Sequence, residues 1–237
     1  WEKESAVFGS TGQGSAVRVG GFGSPSIRKN PTLSHREGTQ ENVSRAEAFN
    51  LEEKFQLQIV TRPGATLSED AITALKLWTL LGGIGKRSRR MMGKMQVISP
   101  DWPSDLDTLE KAIKAVMPLS ASLPGVPSFP VLHKDYSWII VGRETYGNAK
   151  EANQALFRNL LRNSTFKPNQ DTFGYAKGKR RRASPLIAQV YKFNDDYHPV
   201  ITAFYSKPSS STDKNILQDF MNAATKHYNA IHVWGGW

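Results

Sequence analysis

The stretch SEDAITALKLWTLLGGIGKRSRRMMGKMQV, residues 68 to 97, carries the strongest structural signals in the chain. Apolar residues recur there at intervals of three and four, which predicts a helix over about 68–81. Thr66 and Glu69 have the spacing of a capping box before that helix, and Gly82-Gly83 ends it, because glycine tolerates the left-handed backbone that follows a helix. The apolar positions are Ile72, Leu75, Trp78 and Leu81.

The segment from Gly82 to Lys94 follows the helix and carries five cationic side chains within nine residues. Glycine has no Cβ atom, so this backbone can approach a phosphate and donate N–H bonds, while arginine binds phosphate oxygens bidentately. The residue order is not that of a Walker phosphate loop. A solvated basic turn is the alternative interpretation. The candidate RNA-binding residues here are Gly82, Gly83, Gly85, Lys86, Arg87, Ser88, Arg89, Arg90 and Lys94.

A second basic segment, from Lys177 to Arg182, has five cations in six residues and follows the aromatic residues Phe173 and Tyr175. Rings beside arginine and lysine suit single-stranded RNA, whose bases stack on aromatic side chains while cations track the backbone. The alternative is a flexible basic loop with core aromatics behind it. The candidate RNA-binding residues here are Lys177, Lys179, Arg180, Arg181, Arg182 and Ser184.

The composition of the 237-residue chain also favours a polyanionic partner. Lys and Arg total 31 against 21 Asp and Glu, which gives a formal net charge of +10, and 39% hydrophobic residues suffice for a core. The absence of Cys excludes disulfides, thiolate zinc sites and cysteine nucleophiles, and fits a cytoplasmic location. No apolar run reaches the roughly 18 residues of a membrane span. An anionic membrane surface is the rival polyanion, but neither basic cluster lies on a clear apolar helical face, so we expect no membrane partner.

Helices and strands interleave without the regular rhythm of a parallel α/β fold. This predicts an α+β protein with two small sheet-and-helix domains, 1–103 and 104–237. The first domain is predicted to hold strands at 16–19, 55–59 and 95–97 and a polar loop at 24–44. The second is predicted to hold a helix after Ser104, a strand at 138–141, a helix capped by Asn148, strands at 186–193 and 200–205, and a final helix around 216–224. The C-terminal residues 233–237 are a candidate docking tail.

No combination of residues predicts a catalytic or metal site. The five histidines are scattered along the chain, and each pair of neighbouring carboxylates has a simpler explanation as a helix start or a turn. We therefore expect no catalytic residue, no metal and no cofactor.

Three segments together make the sequence similar to a known family. Gly82 to Lys94 resembles the glycine-rich loop of the RAMP superfamily of CRISPR proteins. Phe8-Gly9-Ser10-Thr11, and Phe173-Gly174 followed by 180–185, resemble two signatures of the first subunit of the type III-B (Cmr) effector complex. The three segments span almost the whole chain, and their combination is more specific than any one of them.

The resemblance implies two ferredoxin-like (RRM-like) RAMP domains and a non-catalytic RNA-binding subunit of an antiviral ribonucleoprotein. It implies guide RNA and target RNA as partners, bound near the 3′ end of the guide, together with other subunits of the complex. The family usually has glycine where this chain has Met91, and a small residue at Lys94. An early strand and helix of the family are absent, so we expect that they precede Trp1 and that the first domain is incomplete at its N-terminus.

Two other functions compete with this interpretation. A RAMP-type metal-independent endoribonuclease that processes guide RNA would need a general base, for which His133, His198 or Tyr197 are candidates. A binder of double-stranded DNA ranks lowest, because no predicted helix carries a basic face suited to the major groove.

Overall fold

The computed structural model describes residue 15 and residues 17–22, 27–31, 45–49, 54–85, 88–118, 122–177, 180–207 and 213–237. By their packing, the residues form two compact units, Trp1–Ala74 and Leu75–Trp237. The mixture of helices and antiparallel strands confirms the predicted α+β class. The predicted domains, 1–103 and 104–237, stay a prediction. The two compact units are defined by packing alone, and packing does not establish where a domain begins or ends. Within the described ranges, no helix is long and apolar enough to cross a membrane.

The first unit contains two antiparallel strand pairs. Its strands are β1 (Val17–Phe22), β2 (Ile27–Pro31), β3 (Arg45–Phe49) and β4 (Gln56–Thr61). β1 pairs with β4 and β2 pairs with β3. The two strands predicted from alternating residues at 16–19 and 55–59 are therefore confirmed.

β2 corrects one prediction for this unit. The polar loop predicted at 24–44 is wrong at Ile27–Pro31, which forms a strand. A polar sequence can form such a strand because pairing with β3 satisfies its backbone groups without requiring an apolar face. The remainder of the predicted loop lies outside the described residues.

α1 (Glu69–Leu81) confirms the helix predicted over 68–81. The hydroxyl of Ser68 accepts a hydrogen bond from the Ala71 N–H at 3.2 Å and so caps the helix. The capping box predicted from Thr66 is therefore wrong, because a closer serine occupies the capping position.

α2 (Leu106–Val116) confirms the helix predicted after Ser104, and its cap is Asp105. The Asp105 carboxylate accepts a hydrogen bond from the Thr108 N–H at 2.7 Å, and the Thr108 hydroxyl accepts one from the Asp105 N–H at 3.1 Å. The strand predicted at 95–97 is wrong. The chain there is irregular, because it has no neighbouring strand among the described residues.

The second unit is built on a four-stranded antiparallel sheet with helices between its strands. Its elements are β5 (Ser137–Val141), α3 (Ala149–Gln154), a π-helical segment (Ala155–Leu161), a 3₁₀ helix (Lys167–Phe173), β6 (Tyr175–Lys177), β7 (Arg180–Arg182), β8 (Leu186–Phe193), β9 (Asp196–Phe204), α4 (Lys214–His227) and β10 (Ile231–Gly235). The sheet order is β10-β5-β9-β8. A β-α-β-β-α-β chain in this order is the ferredoxin-like arrangement, which confirms that prediction for the second half of the chain.

Local sequence explains two boundaries of this arrangement. The side chain of Asn148 accepts a hydrogen bond from the Glu151 N–H at 3.0 Å, so it caps α3 as predicted. β8 and β9 meet in a tight turn where Asn194 has a φ of 54°, a left-handed conformation that asparagine adopts more readily than most residues.

The C-terminal residues belong to the sheet. β10 pairs with β5, and the ring of Trp237 packs edge-on against that of Trp138, with 5.9 Å between their centroids. Residues 233–235 thus belong to the edge strand of the sheet, and docking of a partner at 233–237 stays a prediction.

Both faces of the sheet are covered. Ile140 faces a core that includes Leu156 of the π-helical segment and Phe220 of α4. Ile139 and Val141 face a second core formed with the end of α1 and with α2. Successive residues of a strand point to opposite faces, so a strand between two cores is apolar throughout. This explains the apolar run from Trp138 to Val141 in β5.

Candidate nucleic-acid interface

The glycine-rich segment leaves α1 and returns to nearly the same point. The Ile84 N–H donates to the Gly93 carbonyl at 2.9 Å, and this bond closes the segment. We call Gly82–Ile84 together with Gly93 and Lys94 the neck, and residues 85–90 the tip. The neck holds the ends of the tip at a fixed place beside α1.

Close packing requires glycine at several neck positions. A Cβ atom on Gly93 would lie 1.9 Å from the Ile84 carbonyl oxygen, and Gly93 has a φ of 69°. A Cβ atom on Gly83 would lie 2.8 Å from the Gly93 carbonyl oxygen. A Cβ atom on Gly82 would lie 2.7 Å from the Trp78 carbonyl oxygen. The protein's own backbone thus accounts for these glycines. The predicted RNA contacts of Gly82 and Gly83 stay a prediction.

Gly85 at the tip differs from the glycines of the neck. Its φ is 84°, and a Cβ atom there would meet nothing within 4 Å. The Ser88 N–H donates to the Gly85 carbonyl at 3.3 Å, so the tip turns back on itself. The open side of Gly85 is available for close approach by a ligand. Lys86 and Arg87 lie outside the described residues.

The far side of the tip is attached to the edge of the sheet. The Ala188 N–H of β8 donates to the Arg89 carbonyl at 3.1 Å, and the Met91 N–H donates to the Ala188 carbonyl at 2.8 Å. The amide of Asn153 donates to the Arg90 carbonyl at 2.8 Å. This backbone is therefore held in place, while the side chains of Arg89 and Arg90 are exposed.

Met91 occupies a backbone conformation suited to glycine. Its φ is 59°, and its side chain is 5% exposed in the core beneath the tip. A residue with a Cβ atom is disfavoured in the left-handed region. The sequence comparison with RAMP proteins expected glycine at this position, and the geometry gives the reason.

Lys94 lies in the neck with its ammonium directed into the protein. Its Nζ donates to the Thr79 carbonyl, to the Leu80 carbonyl at 3.1 Å and to the Tyr191 hydroxyl at 2.9 Å. Burial lowers the pKa of Lys94 to about 7. All three ammonium protons are engaged within the protein, so we do not include Lys94 in the proposed RNA surface.

Arg89 joins the two predicted RNA-binding segments. Its Nη1 donates to the Ser184 carbonyl at 2.7 Å, two residues after β7. The Ser184 hydroxyl in turn accepts a hydrogen bond from the Leu186 N–H at 3.1 Å. The sequence assigned these segments to different domains, but the structure places them side by side. Sequence alone could not show this, because Arg89 and Ser184 are 95 positions apart.

The second basic segment, predicted as a loop, contains the paired strands β6 and β7. β6 and β7 are antiparallel, with Lys177 opposite Arg180 and Tyr175 opposite Arg182. Lys179 lies outside the described residues. Backbone pairing gives this hairpin a defined direction, and one of its three cross-strand pairs, Lys177 with Arg180, sets two cationic residues opposite each other.

Sequence reasoning missed three residues that support the tip. Gln189 and Asn153 are buried amides that donate to the carbonyls of Ser88 and Arg90. The guanidinium of Arg90 lies 5.9 Å from the ring centroid of Phe157. Gln189 had a usable signal, because a lone amide within an apolar strand usually requires a hydrogen-bond partner.

His133 and His198, which were considered for catalysis, are distant from the tip in sequence. His198 is buried on β9, 5.9 Å from the Phe193 ring, and burial lowers its pKa. His133 is buried ahead of β5, and its Nδ1 accepts the Asp135 N–H at 3.2 Å. Among the residues that the structure describes, no cluster of His, Asp and Glu could hold a metal ion.

Comparisons with known proteins give two matches. Over an alignment of 208 residues the chain is 26% identical to the CRISPR system Cmr subunit Cmr1-1 of Pyrococcus furiosus, covering 70% of this chain and 60% of the relative. The chain thus spans less than two thirds of that relative. The crystal structure of Cmr1 from Pyrococcus furiosus in its apo form matches with a TM-score of 0.62 and 22% identity, covering 100% of this chain and 83% of that one. No family model matches the chain.

The sequence match and the fold match agree with the resemblance predicted from three motifs. The fold match also agrees with the ferredoxin-like order of the second sheet. That resemblance is therefore confirmed: the chain is similar in sequence to a type III-B Cmr1 subunit, and it shares the fold of Cmr1.

Proposed function

We propose that this chain is a non-catalytic RNA-binding subunit of a Cmr-type ribonucleoprotein. In this proposal the tip and the β6–β7 hairpin bind the backbone of one RNA strand. The observation that carries the proposal is the hydrogen bond from Arg89 to Ser184, which makes the two basic segments neighbours. An RNA strand bound by one basic segment would therefore lie close to the other.

Charge and geometry support RNA as the ligand of this surface. The exposed side chains of Arg89 and Arg90 stand on a backbone that β8 and Asn153 hold in place. Guanidinium groups bind phosphate bidentately, and a fixed backbone lowers the entropy lost when they do so. The open backbone at Gly85 adds a place where a phosphate can approach closely.

We extend the identity of the ligand from the relative. Because Cmr1-1 is a Cmr subunit, we propose guide RNA and target RNA as the bound strands, near the 3′ end of the guide, and other Cmr subunits as protein partners. The assembly would act in the cytoplasm in antiviral defence.

The test is the salt dependence of RNA binding by the whole chain, measured by fluorescence anisotropy with a labelled single-stranded RNA. Changing Arg87, Arg89 and Arg90 together to Gln should weaken binding and reduce the slope of log Kd against log salt by roughly 2, since each phosphate contact contributes about 0.7. The matched control changes three exposed lysines of α2 and α4 to Gln, namely Lys111, Lys114 and Lys226. Equal effects in both variants would contradict the assignment of the tip.

A titration at high protein concentration tests whether one strand contacts both segments. We expect one RNA per chain, and variants of the tip or of Arg180–Arg182 should each weaken that single complex. If the segments bound separate strands, removal of one would lower the stoichiometry from two to one and leave the other affinity unchanged.

The absence of catalysis is tested by incubating the chain with guide RNA in EDTA. We expect the RNA to stay intact, because the candidate bases His133 and His198 are buried and Tyr197 is partly buried. Cleavage that disappears in the His198→Ala variant would instead establish the endoribonuclease. Competition with duplex DNA at fixed salt should leave RNA binding unchanged.

A further inference from the structure

Lys94 connects three parts of the second unit. It ends the glycine-rich segment, its ammonium caps the last carbonyls of α1, and its Nζ bonds the Tyr191 hydroxyl on β8. The Tyr191 hydroxyl donates to the same Leu80 carbonyl at 2.8 Å, which closes a ring of polar contacts. A lysine that satisfies helix-terminal carbonyls also interacts favourably with the helix dipole.

The surroundings of the ammonium exclude a direct phosphate contact. Besides its three acceptors, Nζ lies 4.1 Å from the ring centroid of Tyr191 and 5.7 Å from that of Trp102. These rings and carbonyls surround the ammonium in place of solvent, so a phosphate would have to displace them to contact it. A phosphate could therefore reach this charge only after the neck had opened.

We infer that Lys94 is a positioning residue for RNA, an inference that rests on the proposed function. It fixes the neck, and the neck fixes where the tip meets the RNA. Without Lys94, the neck would keep the Ile84–Gly93 bond and the bond from the Gly82 N–H to the Trp78 carbonyl, but it would lose the contacts of its last residue with α1 and Tyr191. The tip would then sample more conformations, and RNA binding would have to order it again.

The experiment compares three single variants of the whole chain by their RNA affinity and salt slope. It is performed at about pH 5.5, well below the Lys94 pKa of about 7, so that the ammonium form predominates. Lys94→Met should weaken binding about ten-fold, the cost of ordering roughly one more residue, and leave the slope unchanged. Arg89→Gln should weaken binding and reduce the slope by about 0.7, because it removes a phosphate contact. Lys111→Met on α2 is the matched control for lost charge and should change neither.

Hydrogen exchange of the same proteins separates positioning from general stability. In Lys94→Met the Ile84 amide should exchange faster, while the amides of β5 and β9 keep their protection. Tyr191→Phe keeps the lysine but removes one of its acceptors. It should give a smaller loss of affinity with an unchanged slope, and it provides the test if Lys94→Met does not fold.

The outcomes distinguish the inference from the proposed function. If Arg89→Gln binds RNA like the unchanged protein, the RNA surface itself is wrong. If Arg89→Gln weakens binding while Lys94→Met behaves like Lys111→Met, the positioning role is wrong and the RNA surface stands. If Lys94→Met lowers the salt slope as Arg89→Gln does, Lys94 contacts phosphate directly, which also overturns the inference.

Discussion

The glycine-rich segment and the β6–β7 hairpin each carry five cations, but they are built differently. Hydrogen bonds from α1, β8 and Asn153 hold the glycine-rich segment, and one of its five cations points inward. The hairpin strands pair with each other in a two-stranded sheet of their own. Substitutions in the first segment should therefore change stability and binding together, whereas substitutions in the hairpin should change binding alone.

The largest effect should come from closing the space at the neck. In Gly93→Ala, the new Cβ atom would overlap the Ile84 carbonyl oxygen in a left-handed backbone. We expect a loss on the order of 3 kcal/mol in the free energy of unfolding, from urea titration, of which about 1–2 kcal/mol is backbone strain. Gly85→Ala meets no neighbour and should lose only the strain, about 1 kcal/mol. Equal losses would show that packing does not define the neck.

Met91 offers a test in which glycine should be better than alanine. Met91→Ala keeps the left-handed strain and removes a buried side chain, so it should cost about 2–3 kcal/mol in the free energy of unfolding. Met91→Gly loses the same side chain but relieves the strain, so it should cost about 1 kcal/mol less than the alanine variant. At positions with ordinary backbone angles glycine is the worse choice, by roughly 0.5–1 kcal/mol. If Met91→Gly were less stable than Met91→Ala, the left-handed conformation of Met91 would be contradicted.

Lys94 should make stability depend on pH above neutrality. Its pKa is about 7 in the folded protein and 10.5 in the unfolded chain, so between these values the unfolded chain binds more protons. The free energy of unfolding should therefore rise with pH through this window, by up to about 1 kcal/mol per pH unit. Urea titrations from pH 7.5 to pH 9 on the unchanged protein and on Lys94→Met measure it, since the variant should lose that slope. Burial raises the pKa of Tyr191, so this tyrosine does not titrate in the window.

The smallest effect on stability should come from the hairpin. Changing Arg180, Arg181 and Arg182 together to Gln should alter the free energy of unfolding by less than about 0.5 kcal/mol, because surface substitutions away from packed groups usually do so. RNA affinity should nevertheless fall, together with the salt slope. A large loss of stability would mean that the hairpin is as strongly attached as the glycine-rich segment.

Much of the fold follows from local signals in the sequence. The apolar period of α1, the capping residue Asn148 and the apolar sequence of β5 each predicted an element that the structure contains. The false strand at 95–97 shows where this reasoning fails. Met95 and Val97 alternate as a strand would, but a strand also needs a neighbour, and local sequence does not report neighbours.

The candidate site was predicted in its residue types and not in its arrangement. The cations and glycines predicted a phosphate-binding surface by their chemistry, which is a property of each residue. The inward direction of Lys94 depends on where the end of α1 and Tyr191 lie, and the junction of Arg89 with Ser184 depends on the tip lying along β8. These contacts join residues about 15 to 97 positions apart.

The residues alone predicted an α+β fold and the basic character of two segments, and the resemblance to CRISPR proteins implied the ferredoxin-like order of the second half. These features depend on periodicity and on residue identity, which survive without coordinates. The folded arrangement shows which glycines serve packing, which cation points into the protein and that Arg89 contacts Ser184 beyond the second basic segment. These features depend on how segments distant in sequence pack against one another, and that packing forms only when the chain folds.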